Sequence, residues 1–374
     1  MSGIYIHIPF CRQACHYCNF HFSTSLASEK EMIRAIITEA GMQRDYLKGE
    51  MVKTLYFGGG TPSLIETADL VLILQSIREQ FSFISDPEIT LEANPDDLSL
   101  HKIRELQSAG INRLSIGIQS FSDQDLVRLN RSHNGSQAKD ALRLAMENGF
   151  TNLSADLIYG IPGLSDQGWE HNVRSVLDSG ITHLSCYALT QEPATAMDHQ
   201  IRKGRFPALD ATQAARQFEL LDPWLENAGY EHYEISNFAI PGHRALHNSN
   251  YWKGVPYLGL GPSAHSFNGF SRQWNPANNQ QYLSGIREGK CPFELEILTP
   301  DQQFNEYILV SLRTMEGCDL DLIASRWSKA TQQNLWEKSR IYLGNGSMQQ
   351  EGRMLKLTKS GWLFADRISA ALFH

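Results

Sequence analysis

The sequence is sparse in cysteine, has no long apolar run and carries no excess of positive charge. Six cysteines in 374 residues are too few for a scaffold built on disulfides. No apolar stretch approaches the roughly 18 residues that would indicate a transmembrane helix. Basic residues number 33 and acidic residues 41, so the net charge is −8, which excludes the broad basic face of a protein that coats nucleic acid.

Enough apolar material is present for a folded core, at 42% of residues. The length is typical of two or three domains, or of one barrel-sized domain with an appendage. Met1 to Ile8 lack the basic start, apolar stretch and cleavage site of a signal peptide. We therefore expect a cytoplasmic protein with reduced thiols and no transmembrane segment.

Strand-like and helix-like segments alternate through the first part of the chain. The predicted strands are 3–8, 53–57, 88–92, 113–119, 152–159 and 183–189. The predicted helices are 29–46, 68–80, 99–108, 136–148, 166–178 and 211–227. Strands separated by helices indicate right-handed βαβ units and a parallel sheet. Six units predict an α/β fold, an open partial (βα)6 barrel covering residues 1–240.

The remaining sequence predicts a connecting segment over 241–298 and a small domain over 299–374. The connecting segment is rich in Asn, Gly, Pro, Tyr and His. Thr299 reads as a helix N-cap, with Pro300 in the first helical position and Gln302 completing a capping box. Several short helices and a hairpin at 347–350 and 354–357 are typical of a winged-helix-like domain.

Three of the cysteines lie within eight residues, directly after the first predicted strand. Cys11, Cys15 and Cys18 could hold an iron–sulfur cluster or, with His16 or His21, a zinc ion. Three incidental cysteines are a further alternative. Three thiolates on a [4Fe–4S] cluster leave one iron open, and S-adenosylmethionine (SAM) can chelate that iron and accept an electron from it. We favour the iron–sulfur cluster on spacing and position.

Polar or glycine-rich motifs follow the next strands. Gly59, Gly60 and Thr61 follow the second strand, and glycines there permit close approach of the backbone to a ligand. The third, fourth and fifth strands carry polar residues near their ends, namely Glu92, Gln119 and Asp156. The carboxyl ends of parallel strands meet at one rim, so these residues indicate a single site. Arg131, just beyond the fourth strand, could reach a carboxylate.

The C-x3-C-x2-C loop resembles that of the radical SAM superfamily. The Gly-Gly-Gly-Thr-Pro, Glu-Ala-Asn-Pro and Asp-Leu-Ile-Tyr-Gly-Ile-Pro-Gly motifs narrow the resemblance to one family, which contains coproporphyrinogen III dehydrogenases and heme chaperones. By resemblance, the SAM on the cluster would contact Tyr5, Gly59 and Glu92. A second SAM would contact Gly60, Thr61, Gln119, Arg131 and Asp156. The resemblance also implies a C-terminal domain like that of the dehydrogenases.

Three features distinguish the two functions within this family. The dehydrogenases have a fourth cysteine two residues after the third, where this chain has Phe20, and an N-terminal extension for which this sequence leaves no room. His247-Asn-Ser-Asn-Tyr251-Trp252 matches the H-N-x-x-Y-W motif of the heme chaperones. The resemblance therefore implies heme binding, with His247 as ligand and Tyr251 and Trp252 lining the site. Oxidative decarboxylation of coproporphyrinogen III is the alternative.

The implied partners are heme and apo-hemoproteins such as respiratory enzymes. The basic residues of the C-terminal domain are too few for a DNA-recognition surface, so we expect no nucleic-acid partner. A peripheral membrane contact and a homodimer stay open.

Overall fold

The computed structural model describes all of Met1–His374. The strands are β1 (Ser2–Ile8), β2 (Val52–Gly59), β3 (Phe83–Ala93), β4 (Arg113–Gln119), β5 (Leu153–Tyr159), β6 (His183–Ala188), β7 (Glu231–Glu234), β8 (Asn237–Ala239), β9 (Tyr257–Leu260), β10 (His265–Phe267), β11 (Ser271–Trp274), β12 (Glu294–Ile297), β13 (Cys318–Asp319), β14 (Met348–Glu351) and β15 (Met354–Leu357).

The helices are α1 (Glu29–Met42), α2 (Thr67–Gln80), α3 (Leu100–Ser108), α4 (Asp123–Leu129), α5 (Gly135–Glu147), α6 (Asp166–Asp178), α7 (Ala196–Arg202), α8 (Ala211–Glu226), α9 (Leu246–Trp252), α10 (Asn279–Arg287), α11 (Pro300–Ser311), α12 (Leu320–Arg326), α13 (Lys329–Gly344), α14 (Lys359–Trp362) and α15 (Ala365–Leu372). Single 3₁₀ turns follow β2 and β3 at Pro62–Leu64 and Pro95–Asp97. No helix is both long enough and apolar enough to span a bilayer.

One sheet of twelve strands organises the molecule, in the order β12-β11-β10-β9-β1-β2-β3-β4-β5-β6-β8-β7. The strands from β1 to β6 are parallel, as the alternation of strands and helices predicts. Strand β9 adds a seventh parallel strand beside β1, and this strand was not predicted. Its four residues are too few to show a period, so only its pairing with β1 defines it. Antiparallel strands extend both edges of the sheet.

Apolar and polar side chains alternate along the parallel strands, so one face of the sheet is apolar and the other is polar. Ile4, Ile6 and Ile8 of β1 belong to the same buried core as Ile33 and Ile36 of α1. The residues between them in sequence, and their counterparts on the other strands, place polar groups on the opposite, interior face of the partial barrel. Those interior residues include Tyr5, Tyr56, Glu92, Arg113, Ser115, Asp156, His183 and Ser185. The interior is therefore polar enough to form a site.

The C-terminal elements form a second, smaller sheet with its helices. Strands β13, β15 and β14 pair in that order, and β14 and β15 form the predicted hairpin. Helix α11 has the predicted capping box at Thr299 and Gln302. The backbone N–H of Ile235 donates to the carbonyl of Arg313, which ties the end of the large sheet to the end of α11. This small sheet and its helices thus pack beside the barrel, with α11 against α9.

Candidate functional site

The three clustered cysteines lie in the loop that follows β1. Backbone bonds between Cys11 and Ser23 and between Cys15 and Cys18 fold this loop, at N···O distances of 3.0 and 3.4 Å. All three thiols are free and half-buried. Burial raises the pKa of Cys18 to about 11, so this thiol is protonated until a metal displaces the proton.

The thiols fit a cluster better than a single ion. No three His, Cys, Asp or Glu side chains converge as ligands on one ion. The two histidines considered for zinc bond elsewhere: His16 Nδ1 lies 3.1 Å from the carbonyl of Arg128, and His21 Nε2 lies 2.7 Å from Asn279 Oδ1. In an iron–sulfur cluster each thiolate binds a different iron, so the sulfurs need not meet at one point.

The glycine motif after β2 packs directly against the cysteine loop. Gly60 N–H donates to the Ile8 carbonyl at 2.8 Å, and Thr61 N–H donates to the Phe10 carbonyl at 2.7 Å. A Cβ atom at Gly60 would lie 2.5 Å from the Phe10 carbonyl oxygen, so only glycine allows this approach. Thr61 Oγ1 lies 3.4 Å from Cys11 Sγ. The motif therefore supports the cysteine loop as well as lining the site.

Arg131 reaches the same place from beyond β4. Its guanidinium donates to Asn94 Oδ1 at 2.7 Å and to the Gly117 carbonyl at 2.8 Å, and it lies 3.4 Å from Cys15 Sγ. Its Nε atom is buried without a partner. Arg131 thus places a fixed positive charge beside a thiol that would carry negative charge in a cluster.

Two carboxylates on neighbouring strands face the interior. Glu92 accepts hydrogen bonds from Tyr56 Oη at 2.8 Å and from Gly59 N–H at 3.1 Å. Asp156 accepts from Ser115 Oγ at 3.1 Å and 3.2 Å. Burial raises the pKa of Glu92 to about 7 and raises the pKa of Asp156. Desolvated carboxylates of this kind favour a cationic ligand, such as the ammonium or sulfonium group of SAM.

These residues enclose one cavity of about 420 Å³, a size suited to a small ligand. All but one of the residues predicted for the cluster and SAM line it: Cys11, Cys15, Cys18, Gly59, Gly60, Thr61, Glu92, Gln119, Arg131 and Asp156. Tyr5 does not; its ring stacks on Tyr56 behind the cavity wall. Gln119 has a strained backbone, with φ of 65°, and its Oε1 atom has no partner. A strained residue with an unused acceptor is the kind found at ligand sites.

Sequence reasoning missed several residues of this cavity. Asn94 holds Arg131, and Tyr187 and Phe22 add aromatic walls. Asn94 belongs to the Glu-Ala-Asn-Pro motif, in which the sequence indicates only Glu92 as a site residue. Tyr187 occupies an interior position of β6, which strict alternation from His183 would have indicated.

The predicted heme motif lies on α9, which separates this cavity from a second one. Asn248 lines the first cavity, while Tyr251 and Trp252 line a groove of about 450 Å³ beside α11. His247 lines neither, and its side chain is buried between them. Its Nδ1 atom lies 2.8 Å from Thr54 Oγ1 and its Nε2 atom 3.0 Å from Tyr251 Oη. Both ring nitrogens are therefore engaged within the protein.

Comparison with known proteins gives consistent results along the chain. Residues 5–176 match the model of the radical SAM superfamily. The chain is 34% identical to the heme chaperone HemW of Mycobacterium tuberculosis, over 99% of this chain and 94% of that protein. It is 32% identical to HemW of Bacillus subtilis, over 99% of both proteins.

Among solved structures, HemN of Escherichia coli, a coproporphyrinogen III oxidase and radical SAM enzyme, superimposes with a TM-score of 0.86. The alignment covers 100% of this chain and 90% of that one at 24% identity, which shows a shared fold. The shared fold therefore agrees with the α/β partial barrel predicted from the sequence. With relatives above 30% identity over nearly its whole length, the chain belongs to the HemW family of the radical SAM superfamily.

Proposed function

We propose that this protein is a heme chaperone, which binds heme and transfers it to apo-hemoproteins such as respiratory enzymes. The observation that carries the proposal is the position of α9. Its H-N-x-x-Y-W sequence forms the wall between a cysteine-lined cavity and an aromatic groove. One short helix could therefore contact both a SAM-loaded cluster and a heme.

We further propose that Cys11, Cys15 and Cys18 hold a [4Fe–4S] cluster and that the cavity around them binds SAM. The supporting features are the half-buried thiols, the fixed charge of Arg131 and the unused acceptor on Gln119. Such a cluster supplies electrons to bound SAM. Oxidation of coproporphyrinogen III is the alternative function, and Phe20, at the position of the dehydrogenases' fourth cysteine, argues against it.

His247 is the predicted heme ligand, and its surroundings define what ligation requires. Burial lowers the pKa of His247 to about 3, so the ring is neutral, which is the form that binds iron. However, its nitrogens bond to Thr54 and Tyr251, so ligation requires at least one of these bonds to break. The other role available to His247 is to hold Tyr251 in position at the groove.

The primary test is heme titration of anaerobically reconstituted protein, in parallel with an assay for decarboxylation of coproporphyrinogen III. Stoichiometric heme binding without decarboxylated product is expected. Catalytic formation of protoporphyrinogen would overturn the proposal and establish the alternative.

Two variants distinguish the roles of His247. Thr54→Val removes the bond to Nδ1 and nearly preserves the side-chain volume. If His247 ligates heme, Thr54→Val should tighten heme binding while His247→Ala abolishes the histidine-ligated absorption spectrum. If His247 only positions Tyr251, Thr54→Val should weaken binding and His247→Ala should leave the spectral type of bound heme unchanged.

A further inference from the structure

The groove beside α9 has features that specify more than an aromatic surface. Its walls come from α9, the β9–β11 region and the C-terminal helices α11 and α12. The aromatic side chains that line it are Tyr233, Tyr251, Trp252, Tyr257, Phe267 and Tyr307. A volume of about 450 Å³ with aromatic walls suits a flat, largely apolar molecule.

The groove is also locally cationic in an acidic protein. Four basic side chains line it, against two carboxylates, whereas the whole chain carries −8. The basic side chains are Arg244, Lys253, Arg272 and Arg326. A positively charged groove in a negatively charged protein attracts an anionic ligand and favours its binding there.

Two of the four basic groups are already neutralised by the protein. Arg244 pairs with Glu231 at 3.0 Å and Glu316 at 2.7 Å. Arg272 bonds both oxygens of Glu306, at 2.7 and 2.9 Å. These pairs fix the walls of the groove. With three carboxylates for two guanidinium groups they carry a net charge of −1, so neither arginine offers a free positive charge to a ligand.

The other two basic groups have no carboxylate partner. Lys253 is exposed at the C-terminal end of α9, directly after Trp252. Arg326 is exposed at the end of α12, where it lies over the Trp327 ring and contacts only the Gln303 side-chain oxygen. The groove therefore presents two available cations beside its aromatic walls. Heme combines a flat macrocycle with two carboxylates on one edge.

We propose that heme lies in this groove with its macrocycle against Tyr251 and Trp252 and its propionates on Lys253 and Arg326. This inference rests on the proposed function and specifies the site for it. Each propionate would gain a charge-assisted bond at the groove rim, where partial exposure keeps the contact reversible, as a carrier requires.

The test is heme titration of the double variant Lys253→Glu/Arg326→Glu, monitored by Soret absorbance. Reversal of each charge should weaken binding about tenfold or more, so the double variant should lose about 100-fold in affinity. The matched control is Lys329→Glu/Arg340→Glu, which makes the same charge change on α13, outside the residues that line the groove. The control should bind heme within about twofold of the unmodified protein.

Iron protoporphyrin IX dimethyl ester, which lacks both propionate charges, is the second probe. It should bind the unmodified protein and the double variant equally. If the unmodified protein binds no heme at all, the proposed function fails. If it binds heme and the double variant binds as tightly, the function stands and the groove assignment is overturned.

Discussion

His247 is the residue whose chemistry depends most on its surroundings. In the sequence it is one histidine beside two aromatic residues, and the family motif assigns it to heme. In the fold its ring stacks on Tyr56 at 5.1 Å and bonds to Thr54 and Tyr251. Its ring thus bonds both to the barrel interior and to the wall of the groove, so a loss of heme affinity in a His247 variant does not by itself separate ligation from positioning, whereas the absorption spectrum does.

The cysteine assignment gives a direct prediction. Cys15→Ala should prevent cluster formation, because two thiolates cannot hold a [4Fe–4S] cluster in this loop. Iron and sulfide content after anaerobic reconstitution, together with absorbance near 400 nm, measures this loss. Cys291→Ala is the matched control, because Cys291 is also a half-buried free thiol but does not line the cavity. Equal iron content in both variants would contradict the assignment.

Arg131 is predicted to stabilise the cavity as well as to charge it. Arg131→Met leaves Asn94 Oδ1 and the Gly117 carbonyl without their donor, at a cost of about 1 kcal/mol for each of these partly buried acceptors. Urea unfolding of the apo protein measures the loss. Arg131→Lys retains the charge but cannot span both acceptors, so it should recover only part of the stability. Full recovery by lysine would show that charge alone matters.

Helix α9 is short, and its position depends on tertiary capping. Its first residues donate two backbone bonds to the buried carboxylate of Glu88 on β3, from Leu246 N–H at 3.1 Å and His247 N–H at 2.9 Å. Seven residues form few internal bonds, so this cap and the packing against β2 and α11 fix the helix.

We therefore predict that Glu88→Ala destabilises α9 by about 1–2 kcal/mol, because two amides lose their acceptor. Amide hydrogen exchange over residues 246–252 should accelerate, and heme affinity should fall with it. Glu79→Ala removes an exposed carboxylate from α2 and is expected to change the free energy of unfolding by less than about 0.5 kcal/mol. Unchanged exchange in Glu88→Ala would contradict the capping role.

Considered as a whole, the molecule buries two opposing sets of titratable groups. Burial raises the pKa of Glu39, Glu92 and Glu234 to about 7. Burial also lowers the pKa of His7 and His133 to about 4 and that of His247 to about 3, and lowers the pKa of His183 and His232.

These shifts predict a maximum in stability near pH 6.5. Each such histidine favours the folded state above its unfolded pKa of about 6.5, and this stability is lost as the pH falls toward the folded pKa. Each such glutamate favours the folded state below about pH 4.5, and this stability is lost as the pH rises toward 7. The five histidines outnumber the three glutamates, so the contribution of these eight groups to the free energy of unfolding should rise from pH 5 to pH 6.5.

Urea unfolding of the apo protein at pH 5, 6.5 and 8 measures this profile. His247→Asn removes one titrating imidazole, so its slope between pH 5 and 6.5 should be smaller by up to about 1.4 kcal/mol per pH unit. An unchanged slope would show that His247 is accessible to protons in the folded state.

Local sequence was sufficient for much of the fold and for the composition of the first cavity. Alternation of apolar and polar residues defines each parallel strand, and all six predicted strands are present within a few residues, except that β3 begins five residues earlier. The rule that parallel strands end at one rim predicts that Glu92, Gln119 and Asp156 lie together, and all three line the first cavity. The capping box at Thr299 is visible in four consecutive residues because caps depend on local hydrogen bonds.

Tertiary structure decided what depends on contacts distant in sequence. Strand β9 exists because it pairs with β1, more than 250 residues earlier in the chain, and no period in four residues could indicate that. The burial of His247 depends on Thr54, and the cap of α9 depends on Glu88. The groove is lined by α9, α11, α12 and the β9–β11 region, so it forms only when these distant segments pack together. Sequence motifs predict which chemical groups are present, because they are local. Tertiary packing determines which of those groups remain available to a ligand.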